Sequence, residues 1–115
     1  MKKVLIIDSH IQFREFLKQK LTDDQIEVVI MQDNRDLYTS MTSVFPDLII
    51  LDLTEDSTEE MEFLEKKADD FTVSRIPIVV TGTSLSKSYT ASLAKYGVVK
   101  YFAKPVQFDI FFESI

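Results

Sequence analysis

The sequence predicts an α/β fold built around a parallel β-sheet, and three observations lead to this prediction. Five short aliphatic or β-branched runs recur along the 115 residues, and each is too short for a helix but suits a buried strand. Apolar residues at helical spacing follow each run. The composition, 45% hydrophobic and 28% charged, is typical of one globular domain.

The predicted strands and helices alternate along the whole chain. The five strands are expected at residues 4–7, 26–31, 47–52, 76–80 and 98–103. The first helix is expected from about residue 12 to residue 21, with Arg14, Glu15, Lys18 and Lys20 between its apolar positions. The second helix should stop before Pro46, and Gly97 is a candidate C-cap of the fourth. The apolar positions that mark the five helices are Phe13, Phe16, Leu17 and Leu21; Leu37, Met41 and Val44; Met61, Leu64, Ala68 and Phe71; Tyr89, Leu93 and Tyr96; and Phe108, Phe111, Phe112 and Ile115.

Five strand–helix units with right-handed crossovers give a doubly wound five-stranded parallel sheet with helices on both faces. In the flavodoxin-like (βα)5 order 2-1-3-4-5, strands 1 and 3 are neighbours at the switch point. The last helix breaks off at Ile115 without a cap or polar tail. We therefore expect it to be truncated, and residues 1–115 to be the N-terminal part of a longer chain.

Composition excludes several classes of function. The formal net charge of -6 disfavours direct nucleic-acid binding by this domain, because phosphate contacts need clustered Lys and Arg. The absence of cysteine excludes disulfides and thiolate catalysis, and a single histidine excludes multi-histidine metal sites. The N-terminal apolar run is too short for a signal peptide or membrane span, so a cytoplasmic protein is expected.

Four apolar runs end in polar residues that can carry chemistry, namely Asp8, Asp52, Thr81 and Lys104. Because the strands are parallel, these residues should gather at one edge of the sheet, with Asp8 beside Asp52. Two close carboxylates require either a proton or a cation between them, and oxygen ligands suit Mg²⁺. A carboxylate nucleophile, a metal, a lysine and a hydroxyl suffice to accept a phosphoryl group. Each residue taken alone is also compatible with a turn or helix cap.

Over essentially its whole length, the chain resembles the receiver domain of two-component response regulators. The segments that carry the resemblance are Lys3-Val4-Leu5-Ile6-Ile7-Asp8, Pro46-Asp47-Leu48-Ile49-Ile50-Leu51-Asp52-Leu53, Pro77-Ile78-Val79-Val80-Thr81-Gly82, and Lys95-Tyr96-Gly97 running on to Tyr101-Phe102-Ala103-Lys104-Pro105.

The resemblance implies a role for each matching residue. Asp52 matches the aspartate that a histidine kinase phosphorylates. Asp8 matches one member of the acidic pair that holds Mg²⁺, and the Thr54 carbonyl matches a backbone ligand. Thr81 matches the switch hydroxyl, Lys104 the lysine that contacts phosphoryl oxygens, and Tyr101 the aromatic that changes rotamer. The bond between Lys104 and Pro105 is typically cis in the family.

The resemblance also implies partners. A phosphoryl group adds about -1.5 to -2 charges at the site. In the family this change remodels the surface of the fourth helix, fifth strand and fifth helix, which then forms a homodimer or contacts an output domain. Tyr89, Tyr96 and Phe112 are candidates for that surface, or they pack on the sheet. Such a domain is not an enzyme, apart from phosphotransfer to its own Asp52 and autodephosphorylation.

The family pattern is broken in several places. Ser9 stands where a second acid normally binds the metal, so Mg²⁺ is expected to bind more weakly, through the neutral hydroxyl or a water. His10 is expected at the edge of the site, without donating phosphoryl groups. Glu55 could approach the metal or face solvent, and solvent is preferred. Gly82 replaces a common Ala and keeps the small side chain that phosphoryl access requires.

These departures leave an alternative open, a pseudo-receiver that acts as a protein-interaction module without phosphorylation. Two enzyme alternatives fit less well. A dehalogenase-type phosphatase needs an Asp where Thr54 stands, and a flavodoxin needs a hydroxyl-rich loop after the first strand, where residues 9–12 do not provide one.

Overall fold

A computed structural model describes residues 2–31, 37–56, 58–83 and 85–114 of the chain. Within these ranges the strands are β1 (Lys3–Ile7), β2 (Glu27–Met31), β3 (Leu48–Leu53), β4 (Ile78–Gly82) and β5 (Val98–Ala103). The helices are α1 (Ile11–Asp23), α2 (Leu37–Val44), α3 (Thr58–Asp69), α4 (Lys87–Ser92) and α5 (Phe108–Ser114), and a 3-10 turn at Leu93–Tyr96 extends α4. Ile115 of the predicted fifth helix lies outside the described residues.

The sheet has the predicted parallel order β2-β1-β3-β4-β5. Its register places Ile7 beside Leu51 and Asp52 beside Thr81. The crossovers therefore bring the ends of β1, β3 and β4 to one edge, where a site is expected in a doubly wound sheet.

Alternate side chains of the strands enter two separate cores, because successive residues of a strand point to opposite faces. Leu5 and Ile7 pack on the face covered by α2, α3 and the 3-10 turn. Val4 and Ile6 pack on the opposite face, against α1 and α5. Burying each such side chain contributes roughly 1.5–3 kcal/mol, so the strand-end residues are positioned by a rigid layer.

Element boundaries agree with the predictions to within a few residues, and Val98–Ala103 agrees fully. Gly97 caps the 3-10 turn with a left-handed backbone (φ 88°), which confirms its expected place at that end. The cis bond before Pro105 is also present. None of the described helices is both long enough and apolar enough to cross a membrane.

Three details of the helices differ from the expectation. Met61 was the first residue that marked the third helix, yet α3 already begins at Thr58, and Glu60 is buried in its first turn. Phe71 lies beyond α3 and is 83% exposed, so it is not part of the buried face. Arg14 was grouped with the polar face of α1, yet it is buried, because its guanidinium reaches the loop after β1.

Candidate functional site

Asp8 lies at the end of β1 with its side chain fully buried. Its Oδ1 accepts a hydrogen bond from the backbone N–H of His10 at 2.8 Å. Its Oδ2 accepts one from Lys104 Nζ at 2.9 Å. The Asp8 backbone carbonyl accepts from Arg14 Nη1 at 3.1 Å. The carboxylate is therefore held in place from both its side chain and its backbone, and Arg14 ties α1 to the site.

Asp52 is the more accessible carboxylate, with 15% of its side chain exposed. Burial raises the pKa of Asp52, and the neighbouring charge of Asp8 raises it further, while Lys104 and His10 oppose the rise. The ionised form of Asp52 is thus poorly stabilised by its surroundings. Its position at the open edge leaves one carboxylate available to react with a molecule from solution.

Lys104 bridges the two carboxylates. Its Nζ lies 2.9 Å from Asp8 Oδ2 and 3.2 Å from Asp52 Oδ1, and it is also 4.6 Å from the centre of the Phe13 ring. The backbone N–H of Lys104 donates to the Gly82 carbonyl at 2.8 Å, which fixes the loop after β5. The cation required between two close carboxylates is therefore supplied by the chain itself.

His10 lies closer to the carboxylates than the edge position expected from the sequence. Its Nδ1 is 3.0 Å from Asp8 Oδ1, 3.6 Å from Asp52 Oδ2 and 2.9 Å from Lys104 Nζ. His10 is the N-cap residue of α1, yet its side chain makes no capping hydrogen bond. The ring is turned toward the acidic pair instead, while 61% of the side chain stays exposed.

Thr81 lies on β4 beside Asp52, and Tyr101 lies on β5, the next strand of the sheet. Thr81 is fully buried, and its Oγ1 has no hydrogen-bond partner in the described part of the chain. Tyr101 is half-buried and donates a hydrogen bond from its hydroxyl to the Gly82 carbonyl at 3.3 Å. The backbone next to Thr81 is thus linked directly to the ring of Tyr101.

The loop after β3 turns toward α4. The Thr54 carbonyl accepts a hydrogen bond from the Tyr89 hydroxyl at 3.4 Å. Glu55 is exposed, as preferred from the sequence, and accepts from Ser86 Oγ at 2.9 Å. Ser9 is also exposed. Tyr89 and Tyr96 are half-buried against the core, so the packing interpretation holds for both.

The donor set fits a divalent cation. Ligand atoms of Asp8, His10 and Asp52 all lie within 4.8 Å of one another. Two carboxylates and a nearby backbone carbonyl are oxygen ligands of the type that Mg²⁺ takes, usually together with several waters. The sequence identified the two carboxylates, because both end buried strands. It missed the inward placement of His10 and Arg14, because neither follows from hydrophobic spacing.

Comparison with known proteins places this geometry in a family. Residues 4–115 match the family model of the response regulator receiver domain. The signal receiver domain of a DNA-binding response regulator from Colwellia psychrerythraea superposes with a TM-score of 0.87 at 19% identity, covering 99% of this chain and 94% of that one. The chemotaxis protein CheY4 of Vibrio cholerae superposes with a TM-score of 0.81 at 23% identity, covering 99% and 95%.

Other receivers share the fold at similarly low identity. A response regulator from Burkholderia multivorans has a TM-score of 0.83 and 20% identity, covering 99% of this chain and 91% of that one. Sequence comparison with curated proteins gives no significant match. The family match spans nearly all of the chain and agrees with the strand order and the clustered strand-end residues. The chain therefore belongs to the response regulator receiver domain family.

Proposed function

We propose that this domain is a phosphoacceptor switch in which a histidine kinase phosphorylates Asp52. One Asp52 oxygen would form a bond to phosphorus while the phosphorus–nitrogen bond of the donor phosphohistidine breaks, and the leaving imidazole takes up a proton. Asp52 suits this role because its side chain is partly exposed, whereas that of Asp8 is fully buried.

The observation that carries the proposal is the Thr81 hydroxyl. It is buried beside Asp52 in the sheet register, and the described residues give it no hydrogen-bond partner. A buried polar group left unpaired costs about 1–3 kcal/mol. A phosphoryl oxygen on Asp52 would accept a hydrogen bond from this hydroxyl, so phosphorylation would remove the cost and draw Thr81 toward the site.

Lys104 and a metal ion would neutralise the added charge. The Lys104 ammonium already lies 3.2 Å from Asp52 Oδ1, within reach of a group attached there. Asp8, Asp52 and the Thr54 carbonyl would hold Mg²⁺, with Ser9 contributing weakly or through a water. When bound, Mg²⁺ offsets the negative charge on the transferring phosphoryl oxygens. Since Ser9 is neutral, this site should hold Mg²⁺ less tightly than one with two adjacent acids.

The response would reach the surface through Tyr101. The Tyr101 hydroxyl donates a hydrogen bond to the Gly82 carbonyl. Thr81 precedes Gly82 in β4, so a movement of Thr81 would disturb that bond. The surface of α4, β5 and α5 carries the exposed apolar residues Val99 and Ile110. This surface suits a partner such as an output domain or a second copy of the chain, and a cytoplasmic location goes with the kinase partner.

A second candidate is a pseudo-receiver that binds a partner without phosphorylation. The close contacts of Lys104 with both carboxylates favour it, because the chain itself already supplies a cation to the acidic pair. The neutral Ser9, in place of a metal-binding acid, also favours the pseudo-receiver. The unpaired Thr81 hydroxyl favours the phosphoacceptor, since a static module has no use for a buried group without a partner.

The two candidates differ in a direct phosphorylation test. The domain is incubated with Mg²⁺ and phosphoramidate, a small phosphoryl donor, and its intact mass is recorded, with Asp52→Asn as the control. The phosphoacceptor proposal expects the mass of one phosphoryl group on the wild type and none on Asp52→Asn. No adduct on the wild type, at Mg²⁺ concentrations that saturate the site, would support the pseudo-receiver.

A further inference from the structure

We propose that His10 is a direct nitrogen ligand of the divalent cation at this site and replaces the ligand that Ser9 cannot supply. The site would then favour a first-row transition ion over Mg²⁺. This inference rests on the proposed function in taking Asp8 and Asp52 as the metal-binding pair. It adds a residue, and a metal preference, that the acidic pair alone does not give.

The position of the Lys104 ammonium marks where a cation fits. Its Nζ lies 2.9 Å from Asp8 Oδ2, 3.2 Å from Asp52 Oδ1 and 2.9 Å from His10 Nδ1. Three ligand atoms, two from the loop after β1 and one from β3, thus converge on one positive charge. Lys104 is on a flexible four-carbon stem, so its ammonium can leave this point while the three ligands stay.

The His10 atom that faces the acidic pair is one that can bind a metal. Its Nδ1 lies 2.9 Å from Lys104 Nζ and 3.0 Å from Asp8 Oδ1, and which of these contacts is a hydrogen bond depends on the tautomer of the ring. A lone pair on neutral imidazole is what binds a metal. A metal ion in the place of the Lys104 ammonium would select the form whose Nδ1 lone pair faces the site.

The spacing of these acceptors suits six-coordination. Around an ion with bonds near 2.1 Å, neighbouring ligands of an octahedron lie about 3 Å apart. His10 Nδ1 lies 3.0 Å from Asp8 Oδ1 and 3.6 Å from Asp52 Oδ2. The backbone N–H of His10 is bonded to the same Asp8 Oδ1, which holds the residue at this distance.

The ligand chemistry then sets the preference. Mg²⁺ takes oxygen ligands and gives up its waters reluctantly, so an imidazole adds little to its binding. Imidazole suits transition ions, whose affinity for mixed nitrogen and oxygen sites also rises along the first row. With the neutral Ser9 in place of an acid, Mg²⁺ loses a charged ligand, whereas a transition ion gains a nitrogen.

The test uses Mn²⁺ as the probe and the untagged wild-type domain. Because His10 is the only histidine of the chain, imidazole ¹⁴N coupling in the pulsed EPR spectrum of bound Mn²⁺ can arise from no other side chain. We expect this coupling in the wild type and its loss in His10→Gln. Competition with Mg²⁺ should show the ratio of Mn²⁺ to Mg²⁺ affinity falling by about tenfold or more in His10→Gln, the scale seen even for groups that act on a metal indirectly.

Two further variants complete the design. Asp52→Asn should weaken Mn²⁺ binding, which places the ion at the acidic pair. Ser9→Asp should raise Mg²⁺ affinity and lower the ratio. Mn²⁺ bound at the pair without ¹⁴N coupling, or an unchanged ratio in His10→Gln, would overturn the role of His10 and leave the phosphoacceptor proposal standing. If the ¹⁴N coupling is present but Asp52 is not phosphorylated, the phosphoacceptor proposal is overturned and the role of His10 stands. If the domain binds no Mn²⁺, both the nitrogen ligand and the metal site are overturned.

Discussion

At the residue scale, the folded chain disfavours the ionised form of Asp52. Burial and Asp8 raise the pKa of Asp52 in the folded chain above its ordinary value of 3.8. The folded state therefore holds this proton more tightly than the unfolded state. Stability from the protonated form is complete below pH 3.8 and is lost as the pH rises through the folded pKa. Above the folded pKa the ionised group costs stability, as functional groups often do.

We expect Asp52→Asn to stabilise the domain at pH 7 by roughly 0.5–2 kcal/mol, the usual range for relieving an unfavourable group. The gain should grow as the pH rises through the folded pKa of Asp52 and then level off. Urea unfolding of both proteins over an acidic-to-neutral pH series measures it. A gain that is independent of pH, or a loss at neutral pH, would contradict this explanation.

Gly82 is constrained more tightly than access to the site requires. A Cβ at this position would lie 2.6 Å from the Leu53 carbonyl oxygen and 2.9 Å from Leu85 Cδ1. Leu53 and Gly82 are partners in adjacent strands, so the backbone cannot yield without disturbing the register. The sequence pointed to a small side chain here, whereas the structure leaves no room even for a methyl group.

We therefore expect Gly82→Ala to lower the free energy of unfolding by about 1–3 kcal/mol, the typical cost of overpacking. Thr83→Ala is the matched control, since Thr83 is the next residue and is exposed, and it should stay within about 0.5 kcal/mol of the wild type. Equal stabilities of the two variants in urea would show that the strands adjust freely.

The sequence predicted site residues at the positions where buried strands end. Asp8, Asp52, Thr81 and Lys104 were all identified this way, because hydrophobic runs stop at them. The contacts among them did not follow. That Lys104 bridges both carboxylates, and that His10 turns inward, depends on the paths of loops and on rotamers that no periodicity encodes.

At the element scale, α3 buries a charged residue that the spacing of apolar residues does not predict to lie inside. Lys67 is fully buried, and its Nζ donates to the Ser74 carbonyl at 3.2 Å. Burial lowers the pKa of this ammonium from its ordinary value of 10.5. Between the folded pKa and pH 10.5 the unfolded chain binds more protons, so stability should rise with pH through that range.

We expect Lys67→Met, which keeps the volume of the side chain, to abolish this rise. The difference in unfolding free energy between wild type and variant should shift in favour of the wild type as the pH increases toward 10.5. Urea unfolding at several alkaline pH values tests it, and tyrosine ionisation cancels in the comparison. Parallel pH profiles would mean that Lys67 is protonated equally in both states.

The predicted boundaries of α3 differ from the observed ones because the residues at its ends are compatible with two structures. Glu59 and Glu60 suggest a solvated loop, yet acidic residues in a first helical turn also stabilise the helix dipole, and they open α3. Phe71 continued the apolar spacing of the same helix, but the helix ends at Asp69 and the ring contacts Arg75 at the surface. The strands were predicted more accurately because short aliphatic runs are compatible with few other structures.

At the scale of the whole molecule, topology brings the strand ends together. The radius of gyration of 13.1 Å is close to the value of about 13 Å expected for a compact domain of this length. Strand order was predictable because few arrangements of five strand–helix units are allowed. Whether the assembled site switches was not predictable, since switching depends on free-energy differences between two states.

The most direct test of the proposed switch is an NMR titration of the domain with beryllofluoride and Mg²⁺, with Asp52→Asn as the control. Beryllofluoride imitates the phosphoryl group without its lability. We expect amide shifts that spread from Asp52 through Thr81 to Tyr101 in the wild type and are absent from the variant. An unchanged spectrum of the wild type at saturating Mg²⁺ would contradict the switch and favour a module that acts without phosphorylation.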